Sequence, residues 1–114
     1  MGERLTAEVK ALAYELGADL AGVRNIERWA NCPILMSPAG ILPTGSSVFV
    51  CGIHHTDAMI EIGGESSPHE QGTYVYQLLM NSHLDYMSYN IGRFLEDKGF
   101  SAVPICASNI WRYR

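Results

Sequence analysis

Ser47-Val48-Phe49-Val50-Cys51-Gly52-Ile53 is the stretch on which the fold turns. It is nearly continuous in apolar residues, two of them β-branched valines, as expected of a strand buried on both faces. Upstream, residues 31–47 gather Pro33, Pro38, Gly40, Pro43 and Gly45. That composition predicts an irregular crossing with no regular element. Downstream, residues 54–73 are polar and rich in Gly and Ser, and a loop of about 20 residues inside a compact domain is more often functional than idle.

Further out, the periodicity changes to that of helices. Leu5, Val9, Leu12, Ala13 and Leu16 recur at helical spacing, with Thr6 as the expected N-cap and Gly17 as the left-handed stop. Leu20-Ala21-Gly22-Val23 reads as a short buried strand, and Asn25 is placed to cap a turn of helix carrying Ile26 and Trp29. A long helix is predicted over Tyr74–Lys98, its apolar stripe formed by Tyr76, Met80, Leu84, Met87, Ile91 and Leu95, with Gly99 ending it. Ala102–Cys106 reads as a third strand. The prediction is a single α/β domain over residues 1–114, a small layered fold of about three strands and two principal helices. Its C-terminal half has the form of a parallel βαβ unit. So thin a sheet leaves an edge that needs a cover, from a dimer partner or from more of the same fold.

Composition bounds the function. The chain has 114 residues, 47% hydrophobic and 18% charged, which favours a packed core over disorder. Its net charge of −4, with scattered basic residues, argues against nucleic-acid binding through a basic surface. The three cysteines, Cys32, Cys51 and Cys106, are odd in number and far apart, unlike a disulfide scaffold or a structural zinc site. No stretch approaches the ~20 apolar residues of a membrane span. These features predict a soluble protein of a reducing compartment, most simply the cytoplasm.

Chemistry-bearing residues concentrate after the predicted strands, where ligand crevices of open α/β sheets lie. His54 and His55 directly follow the best strand; imidazoles there suit metal binding, proton relay or hydrogen bonding to an anionic cofactor. Against this, neighbouring side chains of an extended chain point to opposite faces. Tyr74 opens the long helix beside the loop, and Cys106, Ser108 and Asn109 follow the last predicted strand. A thiol–imidazole pair of Cys106 with His54 is a further reading that the spacing does not demand. Cys51 is most simply a core residue and His83 a surface or boundary one. Dinucleotide fingerprints, Walker loops, nucleophile elbows and C-x-x-C motifs are all missing from the sequence.

Leu16-Gly17-Ala18-Asp19-Leu20-Ala21-Gly22-Val23 resembles the "L-G-x-D-x-x-G-[IV]" opening of the epoxyqueuosine reductases and their reductive-dehalogenase-like relatives. Leu42-Pro43, followed by Ser47-Val48-Phe49-Val50, is similar to that family's "L-P-G-x-x-S-V-[IV]-V" entry to a central strand. Tyr74-x-Tyr76-Gln77, Leu84-Asp85, Phe94-Leu95-Glu96-Asp97-Lys98-Gly99-Phe100 and Ala102-Val103-Pro104 resemble its long helix and the strand after it. The resemblance spans about residues 5–108 and rests on the order of motifs that are individually weak. It implies the N-terminal portion of a corrinoid and iron–sulfur oxidoreductase, with cobalamin as the bound cofactor. The loop after Ile53, the start of the long helix and the segment after Ile105 are then the positions facing that cofactor: His54, His55, Tyr74, Cys106, Ser108 and Asn109. Iron–sulfur clusters are not expected in this chain, which has no ferredoxin-like cysteine run, and no catalytic residue carries over. The implied partners are the corrinoid and either a second copy or a cluster-bearing chain. The alternative is a non-catalytic module derived from the family that self-associates or holds a ligand.

Overall fold

The computed structural model describes residues 2–62 and 77–107. The first helix, α1, covers Glu3–Glu15. It begins before the expected Thr6 cap. Gly2 is the N-cap, without a side-chain hydrogen bond, and the Thr6 N–H already bonds the Gly2 carbonyl at 2.9 Å. Starting early brings Leu5 onto the core-facing stripe and leaves Glu3 at the positive end of the helix dipole. The helix ends as expected. Gly17 takes φ +110°, its N–H bonds the Tyr14 carbonyl, and the Ala18 N–H bonds the Ala13 carbonyl at 2.9 Å. This paired arrangement satisfies orphan carbonyls and turns the chain toward the sheet.

Two strands form an antiparallel sheet: β1, Leu20–Asn25, and β2, Ser47–Gly52. The register pairs Leu20 with Gly52, Gly22 with Val50 and Asn25 with Ser47. Backbone bonds from Asp19 N–H to the Gly52 carbonyl and from Ile26 N–H to the Ser46 carbonyl extend the ladder at both ends. Opposed residues share a face, so Ala21, Cys51 and Phe49 turn together toward the core. The other face is uncovered among the described residues: Leu20 is 72% and Val50 61% exposed. The expectation that β2 is buried on both faces is therefore corrected. An unbroken apolar run marks a strand, but a single layer of helices covers only one side of it.

Between the strands, Asn25 Oδ1 accepts the Glu27 N–H at 2.8 Å and caps a 3₁₀ turn over Ile26–Trp29. The crossing is less irregular than expected, with further 3₁₀ turns at Ile34–Met36 and Pro38–Gly40. Buried Ser37 starts the second of these, its Oγ accepting the Ala39 N–H at 3.3 Å. After β2 the expected loop opens with a short helix, α2, over Asp57–Ile62; residues 63–73 lie outside the described residues.

The long helix, α3, covers Gln77–Asp97, and residues 74–76 of the expected span lie outside the described residues. Met87 and Ile91 on its stripe are buried against Val9, Ala13 and Ala18, and Leu84, Phe94 and Leu95 pack around them. Lys98 just beyond the helix reaches Glu8 of α1 at 2.9 Å and clamps the two helices together. Gly99, at φ +94°, ends α3 with the same paired bonds as α1: Gly99 N–H to the Glu96 carbonyl and Phe100 N–H to the Leu95 carbonyl.

The class is mixed α/β, with two principal helices on one face of the sheet. Its sheet has two strands among the described residues. Residues 101–106 form no strand, so the third strand and the parallel βαβ unit are absent there. Pro104 has no N–H to give a ladder, and this segment is fastened to α3 instead. The carboxylate of Asp85 accepts the Ala107 N–H at 2.7 Å. Gly92, buried in α3, leaves room for the Pro104 ring, whose Cγ would lie 3.0 Å from a Cβ at that position.

Candidate functional site

The turn out of α1, the entry to β1 and the exit from β2 meet at one end of the sheet. Asp19 follows the Gly17 stop by one short turn, and its Oδ2 accepts the His54 backbone N–H at 2.7 Å. The carboxylate thus fixes the path of the chain as it leaves β2. The His54 imidazole remains largely exposed and lies 3.5 Å, through Nε2, from Asp57 Oδ1 in the first turn of α2. Asp57 sits where the free N–H groups of that helix favour negative charge. His55 is half-buried.

Helix α3 enters the same end from the other side. His83 Nε2 lies 3.3 Å from the Leu16 carbonyl, and its ring rests against Gly17, where a Cβ would approach it to 3.2 Å. Close by on α3, half-buried Asp85 engages the C-terminal segment with both oxygens. Oδ1 takes the Ala107 N–H at 2.7 Å and Oδ2 the exposed Cys106 thiol at 3.4 Å. His54, His83 and Cys106 thus lie on three segments that follow or face a change of chain direction. Each is held by a carboxylate or by a helix-terminal carbonyl.

Of the sequence-predicted site residues, His54 and His55 lie on the segment after β2, beside Asp19 and Asp57, and Cys106 lies on the segment after α3, beside Asp85. Tyr74, Ser108 and Asn109 lie outside the described residues. Among the described residues no group of three or more His, Cys, Asp or Glu side chains is placed to hold a metal ion. His54 directs its ring to Asp57 and Cys106 its thiol to Asp85. Cys51 sits in the sheet against the core, where burial pushes its thiol pKa up and keeps it neutral.

The residues that sequence reasoning missed are the anchors. Asp19 and Asp85 enter the sequence reading only within the resemblance motifs, yet both accept backbone N–H groups far along the chain. Their only local signal is position, Asp19 after a helix stop and Asp85 near the middle of a long helix. His83 likewise reads as a boundary residue, because its partner is 67 residues away. Among the described residues no helix is long and apolar enough to cross a membrane. No family model, curated protein or solved structure matches the chain.

Proposed function

We propose that this chain is the corrinoid-pocket portion of an oxidoreductase of the epoxyqueuosine reductase and reductive-dehalogenase type, working with a cluster-bearing partner or region. The observation that carries the reading is the pair of carboxylate anchors. The segments that the resemblance assigns to the cofactor, after Ile53 and after Ile105, are each pinned at the base by a 2.7 Å bond, from the His54 N–H to Asp19 and from the Ala107 N–H to Asp85. Fixed bases are what a binding site on loops requires, because loops left free spend binding energy on their own ordering.

The donor set fits the periphery of a corrin better than its metal. Carboxamide side chains ring that cofactor, and the exposed imidazole of His54, half-buried His55 and the thiol of Cys106 are hydrogen-bonding groups of matching kind. When bound, the corrinoid would supply cobalt redox chemistry, and this chain's residues would bind and orient it. The three thiols, none in a disulfide, suit a reducing compartment and favour the cytoplasm.

A second reading, a self-associating module, is favoured by a different observation. Leu78, Leu79, Tyr86 and Tyr89 of α3 are all more than half exposed, an apolar stripe with room for a second copy. One experiment separates the two. Cobalamin is titrated into the purified chain while the corrin absorbance, the melting temperature and the sedimentation coefficient are followed. A base-off spectrum with a melting temperature that climbs with cobalamin supports the corrinoid reading. A folded dimer with an unchanged spectrum overturns it in favour of self-association.

A further inference from the structure

The sheet face left uncovered among the described residues carries a groove unrelated to the anchors just described. On this face β1 presents Leu20, Gly22 and Arg24, opposed by Gly52, Val50 and Val48 of β2. Lys10 of α1, Val23 and Trp29 complete the lining of a shallow depression of about 290 Å³ that includes Gly22. Gly22 has no internal reason to be glycine. Its φ is not positive, and a Cβ there would meet nothing within 4 Å. Glycine weakens a strand interior, and one that marks neither a bulge nor a tight bend is a position that another backbone or a ligand can approach closely.

The charge of the groove decides what approaches. The chain carries a net charge of −4, yet this depression sets two cations, Lys10 reaching in from α1 and Arg24 from β1, beside an indole and three valines. Among the described residues neither cation enters an ion pair. A second copy packed face to face about a two-fold axis would oppose like charges, which disfavours it. Open apolar sheet faces are covered by a layer of helix, and a helix ridge settles where glycine has removed the side chains.

We propose that this groove docks an acidic amphipathic helix of a partner protein, its apolar stripe over Gly22, Val48 and Val50 and its carboxylates paired with Lys10 and Arg24. The groove is lined from the uncovered face and, through Lys10, from α1, and it lies toward the sheet end away from Asp19 and His54, so the proposal does not rest on corrinoid binding.

The test uses the full ¹⁵N-labelled chain and two synthetic helical peptides, one with a Leu/Ala stripe flanked by Glu and the other with Lys in place of each Glu. The Glu peptide is expected to shift the amides of Gly22, Arg24, Val48 and Val50 and the Trp29 indole, and to weaken as salt is raised. Gly22→Leu, which fills part of the groove, is expected to lower its affinity about tenfold or more without lowering the melting temperature. The double variant Lys10→Glu with Arg24→Glu is expected to lose the Glu peptide and gain the Lys peptide, and it carries the test should the leucine variant misfold. Equal binding of both peptides, no shifts with the Glu peptide, or no transfer of preference in the double variant overturns the proposal. Citrate producing the same shifts at the same concentration would assign the groove to small acids and would equally overturn the helix as occupant.

Discussion

The Asp19 carboxylate and the His54 backbone N–H, 35 residues apart in sequence, meet at 2.7 Å. This one bond joins the entry of β1 to the exit of β2, beyond the last paired residues Leu20 and Gly52. Asp19 also gives its own N–H to the Gly52 carbonyl, so both its backbone and its side chain serve the same junction. Replacing it with alanine removes a charged acceptor from an exposed backbone donor, for an expected cost of about 1 kcal/mol after solvent screening. Asp19→Asn keeps an acceptor and should lose less. Urea denaturation gives the energies. Amide exchange at His54 should quicken in Asp19→Ala, and an unchanged exchange rate there would show that the bond is not formed in solution.

The core is small, so single losses weigh heavily. Met87 is fully buried between the helices, whereas Tyr86 beside it is 64% exposed. Met87→Ala is expected to cost about 2–5 kcal/mol through lost transfer energy and a residual cavity. Tyr86→Ala should stay within about 0.5 kcal/mol. Comparing their denaturation midpoints checks the packing of α3; equal midpoints would contradict it.

Gly92 sets how closely the C-terminal segment lies on α3. A Cβ there would come within 3.0 Å of Pro104 Cγ. Gly92→Ala gains about 1 kcal/mol of helix propensity and spends part of it moving the proline, so a near-neutral stability is expected. Gly92→Leu has no such room and should cost about 1–3 kcal/mol. It should also speed exchange of the Ala107 amide, which depends on that segment staying beside Asp85.

Glu8 links the two helices and makes their association sensitive to acid. The Lys98 ammonium at 2.9 Å, with a smaller contribution from Arg4, holds its carboxyl pKa below the ordinary value of 4.5. A carboxylate with a depressed folded-state pKa adds stability above its unfolded pKa. That stability fades as the pH falls through 4.5 toward the folded value. Glu8→Gln should therefore melt lower than the parent near neutral pH, with the gap closing in acid and shrinking in high salt. A gap independent of pH would place the effect in packing and not in charge.

Thiol reactivity should follow burial. Cys51 has its pKa raised by desolvation, while Cys106 is exposed. Iodoacetamide at mildly alkaline pH should label Cys106 well before Cys51, as read by a mass-spectrometric time course on the native chain. Early labelling of Cys51 would mean that the inward face of the sheet opens readily.

Much of the fold was legible because its signals are local. Gly17 and Gly99 end their helices through bonds reaching only a few residues back, and the apolar stripes of both helices follow from spacing alone. Asn25 caps its turn through a partner two residues away. The third strand was misread because the apolar character of Ala102–Cys106 is compatible with either a strand or a segment laid on a helix. Pro104, lacking a donor, and the gap left by Gly92 favoured the latter.

The sequence by itself determined where the two principal helices end and which stretches form β1 and β2, since capping and periodicity are properties of neighbouring residues. Only the tertiary structure decided that β1 and β2 run antiparallel, that among the described residues one face of the sheet is covered and the other open, and that Asp19 and Asp85 hold the segments carrying His54 and Cys106. Those outcomes depend on contacts across long separations. Their strength comes from bringing together surfaces and carboxylates that no local window of sequence contains.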